Sequence, residues 1–204
     1  MQPDAPTEIY REFMGDLSEE IERENKIIND LLDLVKLDKK GANLNIKSQD
    51  VNELVERILK RLQPLAEKSN IELVFESFRP VTAEIDEVKI ALVITNLVEN
   101  AIKYNHSGGK VTVNIHPSEE ITDTSTSVNY VFLEVSDTGI GIPPEYQEKI
   151  FTPFFRVDKS RSRAMGGAGL GLALVSEIVR QHNGQVKVLE SSKKGSMIAI
   201  MLPV

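Results

Sequence analysis

Apolar residues recur along the N-terminal part of the chain in steps of four and three. Leu17, Ile21, Ile28, Leu31 and Val35 carry the series, with only Glu24 polar within it. Ile27, Leu32 and Leu34 widen the stripe beyond a two-stranded seam, which predicts a helix suited to a four-helix bundle. Residues 1–15 are polar, with Pro3 and Pro6, and predict a loose leader. Lys39, Lys40, Gly41 and Ala42 then break the pattern, as at a domain boundary.

Beyond the break the period alternates between strand and helix. A strand-like stretch near Leu44–Ile46 precedes a helix over about Asp50–Lys68, stopped by Ser69 and Asn70. Strands are predicted at Ile71–Phe75, Val81–Ile85, Lys110–Ile115 and Tyr130–Val135, and an apolar helix over Asp86–Tyr104. Pro117–Ser127, rich in Ser, Thr, Glu and Asp, reads as a solvated hairpin loop. A helix over Gly169–Gln181, stopped by Asn183 and Gly184, and strands at Gln185–Leu189 and Met197–Leu202 close the chain. The pattern implies an α+β fold, a two-layer sandwich in which helices cover one face of a mixed, mostly antiparallel sheet, preceded by one long bundle-type helix.

The apolar helix poses a problem that its period does not solve. Ile90, Ala91, Leu92, Val93, Ile94, Leu97, Val98, Ala101 and Ile102 leave it almost no polar side, yet it carries the segment NLVENAIKYN, Asn96–Asn105. A helix apolar all round is normally buried, and a buried amide without partners costs roughly 1–3 kcal/mol. At about 100° per residue, Asn96, Glu99, Asn100 and Lys103 fall on one stripe. Two amides, a cation and a carboxylate suit a polyphosphate with a hard divalent ion, since an amide oxygen ligates Mg2+ while phosphates balance its charge. The same stripe equally suits a polar network tying the helix to its neighbours.

Composition narrows the partners. The net charge of −7, from 24 basic and 31 acidic residues, argues against general nucleic-acid binding, and the absence of Trp argues against a base-stacking surface. No apolar run approaches the roughly 20 residues of a membrane span, so no membrane contact is expected of this segment. Without cysteine there are no disulfides or thiolate metal sites.

Two Gly-containing segments complete the candidate chemistry. DTGIGIP, Asp137–Pro143, follows the strand YVFLEV. A carboxylate at a strand end can accept from an amino group such as that of adenine, and Gly139 and Gly141 allow close backbone approach. Taken alone, Asp-Thr-Gly is also simply a good turn. GGAGLGL, Gly166–Leu172, opens a helix, where backbone N–H groups and the dipole favour phosphate. It lacks the Gly-Lys-Ser/Thr of a P-loop. Ahead of it Arg156, Lys159, Arg161 and Arg163 stand against one acid, Asp158, as in a lid over an anion or in a solvated loop.

In this order the segments resemble the ATP-binding catalytic domain of sensor histidine kinases, within the Bergerat-fold superfamily. NLVENAIKYN is similar to the family's N box, DTGIGIP to its G1 box, FTPFFRVD to its F box and GGAGLGL to its G2 box, over residues 43–204. Residues 16–40 resemble the second helix of the family's dimerisation and phosphoacceptor hairpin. None of His106, His116 and His182 lies in the family's phosphoacceptor pattern, which implies a piece beginning between the two hairpin helices.

The resemblance implies Mg2+ on Asn100, with Asn96 and Lys103 at the phosphates and Tyr104 walling the nucleotide. Asp137, Gly139 and Gly141 would form the adenine pocket, and Gly167, Gly169, Leu170 and Gly171 the phosphate cradle. Arg161 or Arg163 would steady the transferred phosphoryl group, and Phe151, Phe154 and Phe155 would anchor the lid. Ala168 departs from the Thr or Ser of many relatives.

The implied reaction is transfer of the ATP γ-phosphoryl group to a histidine of the hairpin and onward to an Asp in a response-regulator receiver domain. It would be carried out by a homodimeric full-length protein of which this is a cytoplasmic portion behind a membrane anchor. Superfamily ATPases such as gyrase place a Glu four residues before the ion-binding Asn. Here that position is Asn96, which implies transfer to protein over hydrolysis. A nucleotide-binding regulatory module, or a Bergerat-fold ATPase or serine kinase, are the alternatives.

Overall fold

The computed structural model describes residues 7–38, 44–121, 127–157 and 168–203. The N-terminal helix, α1 (Thr7–Asp38), starts at Thr7. It therefore takes in most of the segment expected to be a loose leader. Ile9, Tyr10, Phe13 and Met14 explain the extension, since they carry apolar character up the helix ahead of Leu17.

Next come strand β1 (Lys47–Asp50) and helix α2 (Val51–Lys68). Asp50 caps α2 by accepting from the Glu53 N–H at 3.0 Å. Asn70, at φ 55°, turns the chain out of the helix. Strands β2 (Glu72–Ser77) and β3 (Thr82–Ile85) lead to α3 (Glu87–Lys103). Its cap, Asp86, accepts from the N–H groups of Lys89 and Asn45. Strands β4 (Lys110–Ile121) and β5 (Ser127–Asp137) follow, then two short 3-10 turns, α4 (Gly171–Gln181), β6 (Gln185–Ser192) and β7 (Gly195–Pro203). At the end of α4, Asn183 takes the left-handed conformation (φ 56°) and the Gly184 N–H closes on Val179 O.

Five strands form one mixed sheet in the order β2-β4-β5-β7-β6. Only β2 and β4 are parallel, because α3 lies in the crossover between them. Strands β1 and β3 pair separately, so the chain has a small second sheet where a single sheet was expected. The solvated hairpin loop is shorter than expected: β4 and β5 stay paired out to Ile121 and Ser127. Backbone pairing carries through those polar residues because a two-stranded ribbon imposes no apolar period once it leaves the core.

Helices α2, α3 and α4 cover one sheet face. Leu54 and Ile58 of α2, Ile90, Ile94 and Leu97 of α3, and Leu174 and Ile178 of α4 meet Val113, Ile115, Leu133 and Ile200 of the sheet in one core. His182 locks the end of α4 to the start of α3. Its Nε2 accepts from the Asp86 N–H at 3.1 Å, which fixes Nδ1 as the donor to Ile178 O at 2.8 Å. Helix α1 packs against α4, but its stripe of Leu17, Ile21, Ile28, Leu31 and Val35 stays exposed.

Candidate functional site

The polar stripe of α3 forms one wall of a cleft of about 790 Å3, within the roughly 300–1,000 Å3 that small-molecule sites span. Asn96, Glu99, Asn100, Lys103 and Tyr104 line it from α3. Asp137 and Gly141 line it from the turn after β5, and Gly169, Leu170 and Gly171 from the start of α4. The three motifs, far apart in sequence, therefore share one cavity. Arg161, Arg163 and Gly167, and with them most of the basic lid, lie outside the described residues.

The two amides have different fates. Asn96 is buried, and its Nδ2 donates to Leu92 O at 2.9 Å, one turn back. Its Oδ1 faces the start of α4 so closely that a Cβ on Gly171 would lie 2.5 Å away. Gly171 is thus required for α3 and α4 to meet. Asn100 is half-buried, lines the cleft, and its side chain has no hydrogen-bond partner among the described residues. That leaves Asn100, one turn beyond Asn96, as the amide oxygen available to a hard ion.

Lys103 lies 5.5 Å over the Tyr104 ring. Burial pushes its ammonium below the ordinary lysine range, the nearby Arg156, Lys26 and Arg23 push it further, and Glu99 opposes them. Burial likewise pushes the Tyr104 hydroxyl up, against the pull of Arg156. Arg156 lines the cleft beside these groups. The basic run ahead of the Gly-rich segment had signalled it, although the expected roles fell on Arg161 and Arg163.

At the opposite end the turn Asp137–Pro143 is held by backbone. Asp137 accepts from the Gly139 N–H at 2.7 Å, and the N–H and hydroxyl of Ser196 beside it also favour its charged form. Burial still raises its carboxyl above the ordinary range; Gly139, Ser196 and His106 only partly offset it. Gly139 is buried behind Tyr104, whose carbonyl accepts from the Ile140 N–H at 3.1 Å. Gly141 takes φ +72° directly against the Ser192 carbonyl, where any Cβ would collide. Ser191 Oγ accepts from the Ile142 N–H at 2.6 Å. The support from Ser191, Ser192 and Ser196 has no motif in the sequence; only its place at a hairpin facing β5 hints at it.

The Gly-rich segment meets the F-box segment through Gly169. Its φ of +75° and the Phe155 carbonyl, 2.7 Å from where a Cβ would sit, demand glycine, and Gly169 O accepts from the Phe154 N–H at 2.9 Å. Phe155 packs on Tyr146, at 5.7 Å between ring centroids, and so anchors this stretch. Phe154 does not: at φ 64° its ring points out and is 61 % exposed. Among the described residues no side chain caps α4, and its first turn lines the cleft at Leu170 and Gly171.

An uncapped helix start, a half-buried carboxylate, an unpartnered amide and converging cations fit a nucleotide whose phosphates carry a divalent ion. Comparison with known proteins agrees. The profile of the family described as histidine kinase-, DNA gyrase B-, and HSP90-like ATPase matches residues 85–204. The sensor histidine kinase WalK of Bacillus subtilis (strain 168) is 35% identical over 197 residues, covering 96% of this chain and 31% of that protein. WalK of Staphylococcus aureus is 35% identical over 196 residues, covering 96% of this chain and 45% of that one. The chain thus spans about a third to a half of the length of these relatives.

Among solved structures, full-length ShkA in complex with AMPPNP superposes with a TM-score of 0.77 at 25% identity, over 95% of this chain and 38% of that one. The mycobacterial sensor histidine kinase MprB gives 0.63 at 28% identity, over 78% of this chain and 97% of that one. With its ATP-site motifs gathered in one cleft and a profile that matches more than half its length, the chain belongs to the histidine kinase-, DNA gyrase B- and HSP90-like ATPase family, in its sensor histidine kinase branch.

Proposed function

We propose that this chain is the ATP-binding catalytic portion of a sensor histidine kinase, which transfers the γ-phosphoryl group of ATP to a histidine of a dimerisation hairpin for relay to a response-regulator Asp. The observation that carries the reading is the state of Asn96, at the position of a water-activating carboxylate, and of Glu99, the one acid of the same stripe. Asn96 stands four residues before Asn100 with its amide tied to Leu92 O, and Glu99 is paired to Lys26 at 2.6 Å. Asn96 is not a base, and Glu99, although it lines the cleft, has its carboxylate engaged by Lys26, which favours transfer to protein over hydrolysis.

Asp137 takes the adenine amino group, in a pocket shaped by Gly139, Gly141 and Tyr104. Asn100 holds Mg2+, and Lys103, with the N–H groups of Gly169, Leu170 and Gly171, holds the phosphates. Asn96 orders the junction of α3 and α4 beside them. Bound Mg2+ supplies neutralisation of the charge on the phosphate oxygens. The protein's own work is positioning and electrostatic stabilisation, because the imidazole nucleophile needs no activation to attack. Gly167, Arg161 and Arg163 complete the cradle and lid on the family pattern.

ATP is supported by the AMPPNP in the ShkA structure and by the fit of the cleft. The receiver partner, homodimerisation and membrane anchoring rest on the branch of the family and on the exposed stripe of α1. Among the described residues no helix is long and apolar enough to cross a membrane. Incubating the chain with Mg·ATP and a histidine-bearing hairpin of such a kinase tests the reading. Acid-labile phosphohistidine in trans, with slow ATP hydrolysis by the chain alone, is expected. Nucleotide binding without phosphohistidine would favour a regulatory binding module, and rapid hydrolysis an ATPase.

A further inference from the structure

Helix α1 contributes to the cleft as well as packing on α4. Arg23 and Lys26 line its phosphate end together with Asn100, Lys103 and Arg156. Three residues apart, they share one face of α1. The Lys26 Nζ donates to Glu99 Oε2 at 2.6 Å, and Glu99 immediately precedes Asn100. The long helix is therefore fastened to α3 at the residue beside the proposed ion ligand.

Four cations, Arg23, Lys26, Lys103 and Arg156, converge here in a protein of net charge −7. They share one field, since Arg156, Lys26 and Arg23 all add to the burial that lowers Lys103. Such convergence favours the entry of an anion. Glu99 and Glu20 supply counter-charges now, to Lys26 at 2.6 Å and to Arg23 at 2.9 Å, and Asp30, one turn further along α1, adds a third carboxylate, raised by burial first. Position decides which phosphate the α1 cations can meet. With the base at Asp137 and the proximal phosphates at α4, the mouth beside α1 receives the far end of the polyphosphate chain.

We propose that Arg23 and Lys26 form an α1-borne part of the nucleotide site that recognises the terminal phosphate of a triphosphate, with Glu99 holding Lys26 until that phosphate arrives. This rests on the ATP reading above. It makes the seating of α1 on the cleft depend on whether a triphosphate or a diphosphate is bound. The two α1 residues are specificity determinants, while Glu99 acts through Lys26 as a positioning residue.

Titration of the 204-residue chain with AMPPNP and with ADP in excess Mg2+, by calorimetry, tests this. The variants are Arg23→Gln with Lys26→Gln, and Glu99→Gln, each checked for unchanged helical signal and melting temperature. The double variant is expected to weaken AMPPNP about tenfold or more, a decade being about 1.4 kcal/mol, and ADP less than about twofold. Glu99→Gln is expected to tighten AMPPNP, because it frees Lys26 for phosphate. If the pair merely fastens α1 to α3, both variants shift affinity in the same direction and for both nucleotides alike; that result, or no shift at all, overturns the proposal. Wild-type chain that binds neither nucleotide overturns the ATP reading and this inference together. Wild-type binding with a loss that ignores the third phosphate sinks the α1 assignment alone.

Discussion

The two ends of the cleft are built by different means. At the Asp137 end the groups are fixed by backbone: Gly139 donates to the carboxylate, Gly141 lies against the Ser192 carbonyl, and Ser191 holds Ile142. At the Lys103 end the groups are side chains, with cations from α1, α3 and the F-box segment lining the cleft beside Asn100, whose side chain has no partner among the described residues. The contrast suits the two parts of a nucleotide. A base is a flat, constant shape that rewards a rigid slot, whereas a polyphosphate changes its charge during reaction and rewards groups that can adjust. Changes to the backbone of the rigid end should therefore lower binding and stability together, whereas its buried carboxylate should trade one against the other. Changes at the charged end should alter binding and leave the fold alone.

The largest expected effect tests the charged end. Asn100→Ala should abolish Mg2+-dependent nucleotide binding while the melting temperature stays level or rises slightly, because Ala exceeds Asn in helix propensity by roughly 0.5 kcal/mol or more. Calorimetry with and without Mg2+, beside a thermal melt, reads both. Binding that survives unchanged would make the α3 stripe structural and remove the ion from Asn100.

Asp137→Asn comes next and tests the opposite end. Loss of a charge-assisted hydrogen bond to the base, about 1.5–3 kcal/mol, predicts a fall in affinity of roughly ten- to a hundredfold. The stability change should have the opposite sign. Burial raises the folded-state carboxyl of Asp137 above its unfolded value, so the folded state binds this proton more readily. Its ionised form therefore costs stability at pH above the folded value, and the cost fades as pH falls through it. Replacing the carboxylate with a neutral amide removes that cost. The variant should melt no lower than wild type at neutral pH, with any gain closing on acidification; a variant clearly less stable at neutral pH would mean that the hydrogen bonds of Asp137 outweigh its burial.

Gly141→Ala follows, and here stability should fall. A side chain at φ +72° against the Ser192 carbonyl costs roughly 1–3 kcal/mol and shifts the turn. Nucleotide affinity and melting temperature should drop together. A Gly141 variant that loses affinity at unchanged stability would contradict the backbone-built description of this end.

The same contrast governs what could be read from the chain. Gly141 and Gly169 were legible because a left-handed backbone position leaves a local residue signature, whereas the demands on Gly139 and Gly171 come from Tyr104 and Asn96, distant in the chain. The stripe of α3 was legible because polar residues on an apolar helix need a reason. Arg23 and Lys26 were not, since their wheel positions on α1 mark only a polar face, and nothing in residues 16–40 reports which surface that face meets. The separate β1–β3 pair was missed for the same reason: an alternating segment announces a strand but not its partner. The F-box phenylalanines misled in part. The resemblance implied that Phe151, Phe154 and Phe155 anchor the lid, yet Phe154 takes a positive φ and is exposed while Phe155 packs on Tyr146.

The smallest expected effect reaches furthest into this distinction. Ser191 sits on β6, far along the chain from the Asp-Gly segment, and meets that segment through its hydroxyl and the Ile142 N–H. Ser191→Ala leaves a part-buried donor without that partner and should cost about 1 kcal/mol of stability. If the Asp137 end is one rigid unit, the loss must reappear in nucleotide affinity, because Ile142 and Asp137 are carried on the same turn. Equal fractional losses for nucleotides with two and three phosphates would place the effect at the base. A loss that grew with the third phosphate would instead mean that the two ends are mechanically joined, and that the charged end borrows its geometry from the rigid one.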